Sequence, residues 1–424
     1  MKSAPKALHI VLNGVVEDSR VLKCAWSLGN AGWDVLVCGS TPTGKVDKLS
    51  IGYSTIERLP IKIVIKQRFL AKYLRNTRKR LRRFMERVFP RSKPPIPNLQ
   101  RAQRAIRPVA LEFSPDVIHA HDYTALPIAT EITQLLRAQG KRVSLVYDAH
   151  EYVPGVSHLT KPLANVYTKA ERAGVKIADA VLSVSEPMSD LLMPHLQIKE
   201  RPIIVANDPL VAGQQKAKRN LRKECGLDKK TPLLVYSGAV APQRGISTAI
   251  DALRKMPKVH LALIANPENA TVKQLQIDAA DIADRFHVVP YVPNSELVSF
   301  LSTANIGLIP LHHKLNHEIS LITKFGEYMQ AKLPIVVSDV KTMSAEVKRL
   351  KNGEVFKAED VAGFVKATQK ILKDERRYRK VYTKAILGER SWERQAKVLV
   401  DLYNKVAGVN PKVRKAKAFT VKFN

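Results

Sequence analysis

Cysteine is scarce: Cys24, Cys38 and Cys225 are the only three in 424 residues. Their spacing matches no metal-ligand pattern and no disulfide framework, so they are expected as small buried thiols. No apolar run approaches the roughly 18–20 residues that cross a bilayer. The start, MKSAPKALHIVLNGVVEDSR, places lysines before an apolar stretch. That stretch is short, and an acidic, helix-starting segment follows it instead of a small-residue cleavage site. It therefore reads as the first strand of a cytosolic protein. Acidic residues are also few, 38 against 70 lysines and arginines, for a net charge of +32. Such an excess points to a polyanion: nucleic acid, an anionic membrane surface, or substrates bearing phosphate. No RRM, KH or helix-turn-helix pattern occurs, and the charge is not interleaved with stacking aromatics. Nucleic acid is therefore not the expected partner.

What is present is a long alternation. LHIVLNG, DVLVCGS, DVIHAHD, VSLVYDAHE, AVLSVSE and PIIVAND occur in the first half. LLVYSGAV, VHLALIA, FHVVPYV, IGLIPL and PIVVSD occur in the second. These runs are β-branched-rich, nearly continuously apolar and bounded by Gly, Pro, Asp or Asn, as central parallel strands are. Helical patterns between them make repeated βαβ units, hence an α/β chain with an open doubly wound sheet in each half. The alternation breaks near residues 208–230, in a polar, basic connector. The expected domains are 1–208, with a basic amphipathic insertion at about 62–107, and 209–385, followed by a helix and basic tail at 386–424. Two Rossmann-like domains would face each other across a cleft, with ligands beyond the carboxyl ends of the strands.

Nearly every polar residue of interest falls at such an end. Asn13-Gly14 follows the first strand, His119, His121 and Asp122 end the third, and Asp148, His150 and Glu151 end the fourth. YSGAVAPQRGIS is a glycine-bearing strand-to-helix turn whose backbone N–H groups and helix dipole favour a phosphate. Arg244 adds a fork suited to phosphate oxygens. A helix beginning near Thr323 or Lys324 would offer a second anion site. It would also set Lys324 and Glu327 on one face, the lysine for phosphate and the glutamate for vicinal hydroxyls such as those of a ribose. The structural alternative is a surface ion pair three residues apart. Asp18 reads as a helix N-cap. His119 and His121 are expected to face opposite sides of their strand, one toward the cleft and one toward the core. A zinc site there would lack a third ligand.

These motifs, in this order and spacing, resemble the family 4 glycosyltransferases of GT-B architecture. VEDSRVLKCAWSLGNAGWDVLV resembles the family's first loop, helix and strand. PDVIHAHD, VYDAHEY, ADAVLSVSEPMSDLL and IIVANDP follow in family order. YSGAVAPQRGISTAIDAL resembles its diphosphate loop, and TKFGEYMQAKLPIVVSD its strand-preceding helix. The resemblance implies retaining transfer of a sugar from a nucleoside diphosphate to an acceptor. It implies donor contacts from Gly14, Gly238, Arg244, Lys324 and Glu327, with Glu327 on the ribose. It implies that His150 reaches the reacting sugar as the catalytic residue, and it makes Arg20, His121 and Glu151 acceptor-side candidates. No Asp-x-Asp pair occurs, so neither a metal nor another cofactor is expected. The chain departs from the family where Ala239 replaces an arginine, where Glu318 lies one position off register, and where Lys332 replaces a turn glycine. That lysine would need a positive φ or a reshaped turn. A nucleotide-sugar epimerase on the same architecture is the rival enzyme, and TKFGEYM argues against it. A basic polyanion binder is the rival outside enzymes.

From Lys62 to Arg107 lysines and arginines face one acidic residue, Glu86. Apolar residues at helical spacing there read as a basic amphipathic helix, suited to an anionic membrane interface. The alternative is a helix packed on its own domain. A membrane-associated glycan or lipid-linked acceptor, met by a peripheral protein at the inner face of the membrane, would use such docking. SWERQAKVLVDLYNKV reads as the family's final helix, and NPKVRKAKAFTVKFN as a mobile basic extension.

Overall fold

The computed structural model describes residues 3–41, 43–61, 96 and 99–423. Most of the basic segment at 62–107 lies outside the described residues; its last part enters a helix, Leu99–Phe113. The strands in chain order are β1 (Lys6–Ile10), β2 (Asp34–Ser40), β3 (Asp47–Ile51), β4 (Ser54–Leu59), β5 (Val117–His121), β6 (Ser144–Asp148), β7 (Ala180–Ser183) and β8 (Ile203–Ile204). They continue with β9 (Leu233–Ser237), β10 (His260–Ile264), β11 (Phe286–Val289), β12 (Ile306–Ile309), β13 (Ile335–Ser338), β14 (Gly353–Phe356) and β15 (Val421–Phe423).

The chain divides into two compact units. The first holds Met1–Leu182, Leu192–Pro202 and Leu402–Asn424; the second holds Ser183–Leu191 and Ile203–Asp401. In the first, the sheet runs β15-β3-β4-β2-β1-β5-β6-β7. β4, β2, β1, β5, β6 and β7 are mutually parallel, and β3 and β15 join antiparallel at one edge. The second sheet is entirely parallel, in the order β11-β10-β9-β12-β13-β14. Both orders reverse direction beside the unit's first strand, between β1 and β5 and between β9 and β12. Those are the topological switch points where open α/β sheets bind ligands.

Near-continuous apolarity arises because both faces of these strands are covered. In β9, Leu233 and Val235 pack into one core with Ala262, Ile309 and Val337. Leu234 and Tyr236 point the other way, into a core with Leu263, Leu308 and Val336. Successive side chains of one strand thus feed two hydrophobic layers, the period-2 rule applied to a doubly covered sheet. The helix Thr323–Gln330 is fixed to this sheet by Tyr328. Its hydroxyl accepts from Ser237 N at 3.2 Å and lies 3.3 Å from the carbonyls of Val235 and Leu308, straddling the β9–β12 switch. Gly307 is required for this approach, since a Cβ there would come within 2.5 Å of the Tyr328 ring.

The C-terminal residues differ from the mobile extension expected of them. After the helix Trp392–Ala407 the chain runs along the first unit and ends as β15, antiparallel to β3. Arg414 donates to the carbonyls of Gly29, Gly32 and Trp33 at 3.2–3.4 Å. Trp26 Nε1 donates to Lys417 O at 2.8 Å, Tyr53 OH to Lys415 O at 3.0 Å, and Phe419 meets Trp26 edge-on. The segment docks because its few anchors satisfy groups on the first helix, while its lysines remain outward. The three cysteines are free and buried. Among the described residues no helix is long and apolar enough to cross a membrane.

Candidate active site

In the second unit the expected donor residues converge at the β9–β12 switch. Gly238 follows β9 with φ +118, in the left-handed region. A Cβ built there would stand 3.5 Å from Lys324 Nζ, so the glycine leaves the turn open beside the ammonium. Lys324 is 9% exposed, and its Nζ lies 3.6 Å from the Tyr236 ring centre. This burial excludes the surface ion pair allowed by the sequence. Burial and the nearby Arg244 charge push its pKa well below the ordinary lysine value, with Glu327 opposing them. A buried lysine next to an arginine is a cationic site that an anion would relieve. The helix carrying Lys324 and Glu327 starts at Thr323 without a side-chain cap, which leaves its first turn available to an anion. Gly245, φ +69, closes the glycine turn so tightly that a Cβ would approach Pro310 O to 1.8 Å.

The departures have structural counterparts. Ala239 is exposed, and its carbonyl accepts from Tyr236 OH at 2.8 Å. Glu318 is taken into a local network, accepting from Lys341 N at 2.8 Å and contacting His313 Nδ1 at 2.5 Å. Lys332 adopts φ +55, the left-handed turn foreseen for it.

In the first unit the strand ends build a buried polar cluster. Asp18 caps the helix Ser19–Asn30 by accepting from Val21 N at 3.1 Å. That helix projects Arg20 inward, 3% exposed, where its guanidinium grips fully buried Asp148 through two hydrogen bonds of 2.7 and 2.8 Å. Arg20 is therefore a partner of Asp148 within the unit. His150 Nε2 lies 3.2 Å from Asp148 Oδ2 and 3.4 Å from His121 Nδ1. Although burial alone would lower it, Asp148 raises the His150 pKa above the ordinary histidine value. Asp148 itself is held well below the usual carboxylate range, chiefly by Arg20. Gly14 and Glu151 are both exposed, Gly14 in the loop after β1 and Glu151 beside His150.

The expectation for His119 and His121 fails. Residues two apart on a strand share a face, and their rings stack with centroids 4.0 Å apart and planes 10° from parallel. Both are fully buried. They are joined by His9, which the sequence reading passed over. His9 pairs in register with His119 across β1 and β5, and its Nδ1 lies 2.8 Å from His121 Nε2. The missed signal was a histidine inside an otherwise apolar central strand. By distance, then, a third nitrogen does stand at metal-ligand range, in the sets His9, His119, His121 and His121, Asp148, His150. Asp122 was also undervalued. It takes φ +67 at the end of β5, its Oδ1 is buried without a hydrogen-bond partner, and burial pushes its pKa up to about 7.

Two doubly wound α/β units, one carrying a glycine turn and a buried lysine at its switch point, define the GT-B class of architecture. The comparisons agree. The Glycosyltransferase Family 4 model matches residues 19–207, and the Glycosyl transferases group 1 model matches residues 217–387. The chain belongs to the family 4, group 1 glycosyltransferases. Sucrose-phosphate synthase from Thermosynechococcus elongatus has the same fold, with a TM-score of 0.72, 16% identity and 95% and 99% of the two chains covered. Anabaena HepE, solved in complex with UDP-glucose, has a TM-score of 0.65 at 14% identity, covering 94% and 99%. A D-inositol 3-phosphate glycosyltransferase from Xylanimonas cellulosilytica is 24% identical over 202 residues, 46% of this chain. The match spans about half of that relative's length, 47%.

Proposed function

We propose that this chain transfers a sugar, with retention at the anomeric carbon, from a nucleoside diphosphate sugar to a membrane-associated glycan or lipid-linked acceptor. The observation that carries the donor half is the Lys324 ammonium, buried beside Arg244 at an uncapped helix start and an open glycine turn. A diphosphate would satisfy all of these groups at once. As the bond to the sugar breaks, charge grows on the departing diphosphate, and donors fixed in a dry site stabilise it more than they stabilise the ground state. No metal is assigned a role. Glu327 is assigned the ribose hydroxyls, and Gly14 and Gly238 close backbone approach. His150 is assigned a hydrogen bond to the transferred sugar and Glu151 the acceptor side, while the acceptor-side candidates Arg20 and His121, both buried, act through Asp148 and His150. Base selection is assigned to the loops after β10 and β11, where Tyr291 is 51% exposed. Supporting the donor class is the likeness to HepE, which was solved with UDP-glucose. The acceptor half rests on the charge of 62–107, which would place the protein peripherally at the cytoplasmic face of a membrane.

The test is thermal denaturation with UDP, GDP, ADP and their sugars, with and without Mg²⁺, on wild type and Glu327→Ala. At a hundred times its dissociation constant one bound ligand stabilises by about 2.7 kcal/mol. One nucleotide should shift the wild type without metal and fail to shift the variant. No shift by any nucleotide would overturn the donor assignment.

A further inference from the structure

In the buried histidine cluster of the first unit, two neutral proton arrangements give every ring–ring and ring–hydroxyl contact both a donor and an acceptor and use the Tyr403 proton. His119 Nδ1 lies 2.6 Å from Tyr403 OH, and Tyr403 OH lies 3.2 Å from His9 Nε2. His9 Nδ1 lies 2.8 Å from His121 Nε2, and His121 Nδ1 lies 3.4 Å from His150 Nε2. Asp148 Oδ2 stands 3.3 Å from His119 Nε2 and 3.5 Å from His121 Nδ1. His9, His119 and His121 are fully buried, and burial lowers the pKa of all three, that of His121 to about 3. A neutral imidazole donates from one nitrogen and accepts at the other. Choosing one proton therefore sets every other.

If His119 carries its proton on Nε2, that N–H lies 3.3 Å from Asp148 Oδ2, outside hydrogen-bond geometry but facing the negative charge. Its Nδ1 then accepts from Tyr403, whose oxygen accepts from His9 Nε2–H, and His9 Nδ1 accepts from His121 Nε2–H. The Nδ1 lone pair of His121 is left to receive His150 Nε2–H. The reverse order runs from His121 Nδ1–H, through His9 and Tyr403, to a lone pair on His119 Nε2 aimed at a carboxylate oxygen 3.3 Å away. It also puts two protons, on His121 Nδ1 and His150 Nε2, against each other. Lone pair against carboxylate and proton against proton both repel, so the first order is preferred. The 2.8 Å contact between His9 and His121 is a hydrogen-bond separation, shorter than the roughly 3.3 Å between two nitrogens held about 2.0–2.1 Å from one tetrahedral ion. That separation favours a proton-ordered hydrogen-bond chain over a metal in the same place.

We propose that His119, Tyr403, His9 and His121 form one hydrogen-bond chain, oriented by the Asp148 charge, whose proton order fixes His150 with Nε2–H turned inward, making Tyr403 a remote positioning residue for His150. Nδ1 is then the His150 nitrogen presented to a ligand. Only the kinetic consequence rests on the transferase reading; the proton order does not. The charged and titratable groups around His150 include Asp148, His119, His121, Arg20, Asp122 and Asp18.

The experiment is long-range ¹H–¹⁵N correlation on the full chain with ¹⁵N-labelled histidine, for wild type and Tyr403→Phe, across pH. In the wild type, His9, His119 and His121 should all be Nε2–H tautomers. Loss of the hydroxyl removes the acceptor for His9 Nε2–H. His9 and His121 should then turn to Nδ1–H, and His121 should compete with His150 for Asp148, lowering the His150 midpoint by about one pH unit. In sugar transfer, kcat should fall about tenfold at unchanged KM, with the acid limb of the pH profile moving by the same amount. Wild-type His9 or His121 as Nδ1–H would overturn the proposal, and so would unmoved tautomers in Tyr403→Phe. One equivalent of zinc in the purified protein, with ring nitrogens shifted by it, would replace the hydrogen-bond chain by a metal site. Should Tyr403→Phe fail to fold, the wild-type tautomers decide alone. Predicted tautomers in a protein that transfers no sugar would leave the hydrogen-bond chain standing and remove the transferase reading.

Discussion

Replacing Asp148 by Asn tests whether the first unit is held by a buried ion pair. The substitution keeps shape and removes one charge, leaving the Arg20 guanidinium 3% exposed with no anion. Two unit charges about 4 Å apart attract by about 4 kcal/mol at an effective dielectric of about 20. Breaking a buried pair from one side costs about 3–5 kcal/mol, because the survivor stays desolvated. Asp148→Asn and Arg20→Met should therefore each lose about 3–5 kcal/mol in urea denaturation at pH 7. The double variant should lose less than their sum by about 2–3 kcal/mol, since no charge is then stranded. The pH dependence has a definite sign. Asp148 has its pKa depressed in the folded state, so its stabilisation is present above the unfolded value near ~3.9 and is lost as pH falls through the folded one. The gap between wild type and Asp148→Asn should thus hold from pH 7 to about 5 and shrink in acid. Single losses under about 1 kcal/mol, or additivity within about 0.5 kcal/mol, would refute the pair as a structural determinant.

Three further outcomes are expected. Gly245→Ala should cost on the order of 3 kcal/mol or more, because its φ is +69 and the new methyl would meet Pro310 O at 1.8 Å; denaturant melts that leave it within 1 kcal/mol of wild type would contradict this. Lys332→Gly should raise stability by about 0.5–1 kcal/mol by relieving a left-handed φ of +55, read as a higher urea midpoint at constant slope. Asp122 has its pKa raised to about 7 by burial, so it opposes folding increasingly as pH rises from ~4 to ~7. Asp122→Asn should therefore gain on the order of 2–4 kcal/mol at neutral pH and little at pH 4, and equal melting curves at both pH values would count against it.

The central strands were legible because parallel strands covered on both faces must be apolar throughout, and the polar residues ending them marked where a site would lie. Lys324 was legible for a similar reason: FGEYM runs directly into a buried strand, which leaves a lysine one turn earlier little solvent. Register was not legible. Nothing in LHIVL or DVIHAH states that His9 sits opposite His119, because lateral pairing is chosen by the whole sheet. Nor does SRVL announce that Arg20 turns inward to a carboxylate 128 positions away. The tail misled for a different reason. Its composition is that of a solvated extension, and Arg414 and Phe419, which hold it, look like two more residues in a lysine-rich run.

Tyr403 lies 394 positions from the histidine it contacts in β1. At roughly 5–20 residues per second of synthesis, His9 emerges roughly 20–80 s before its hydroxyl partner exists. If the first unit's strands pair within that interval, His9 Nε2 and His119 Nδ1 lack their hydroxyl partner and the β3 edge stands open until Val421–Phe423 arrive. The order of translation thus sets a waiting time within one unit, and its maturation is tied to completion of the chain between.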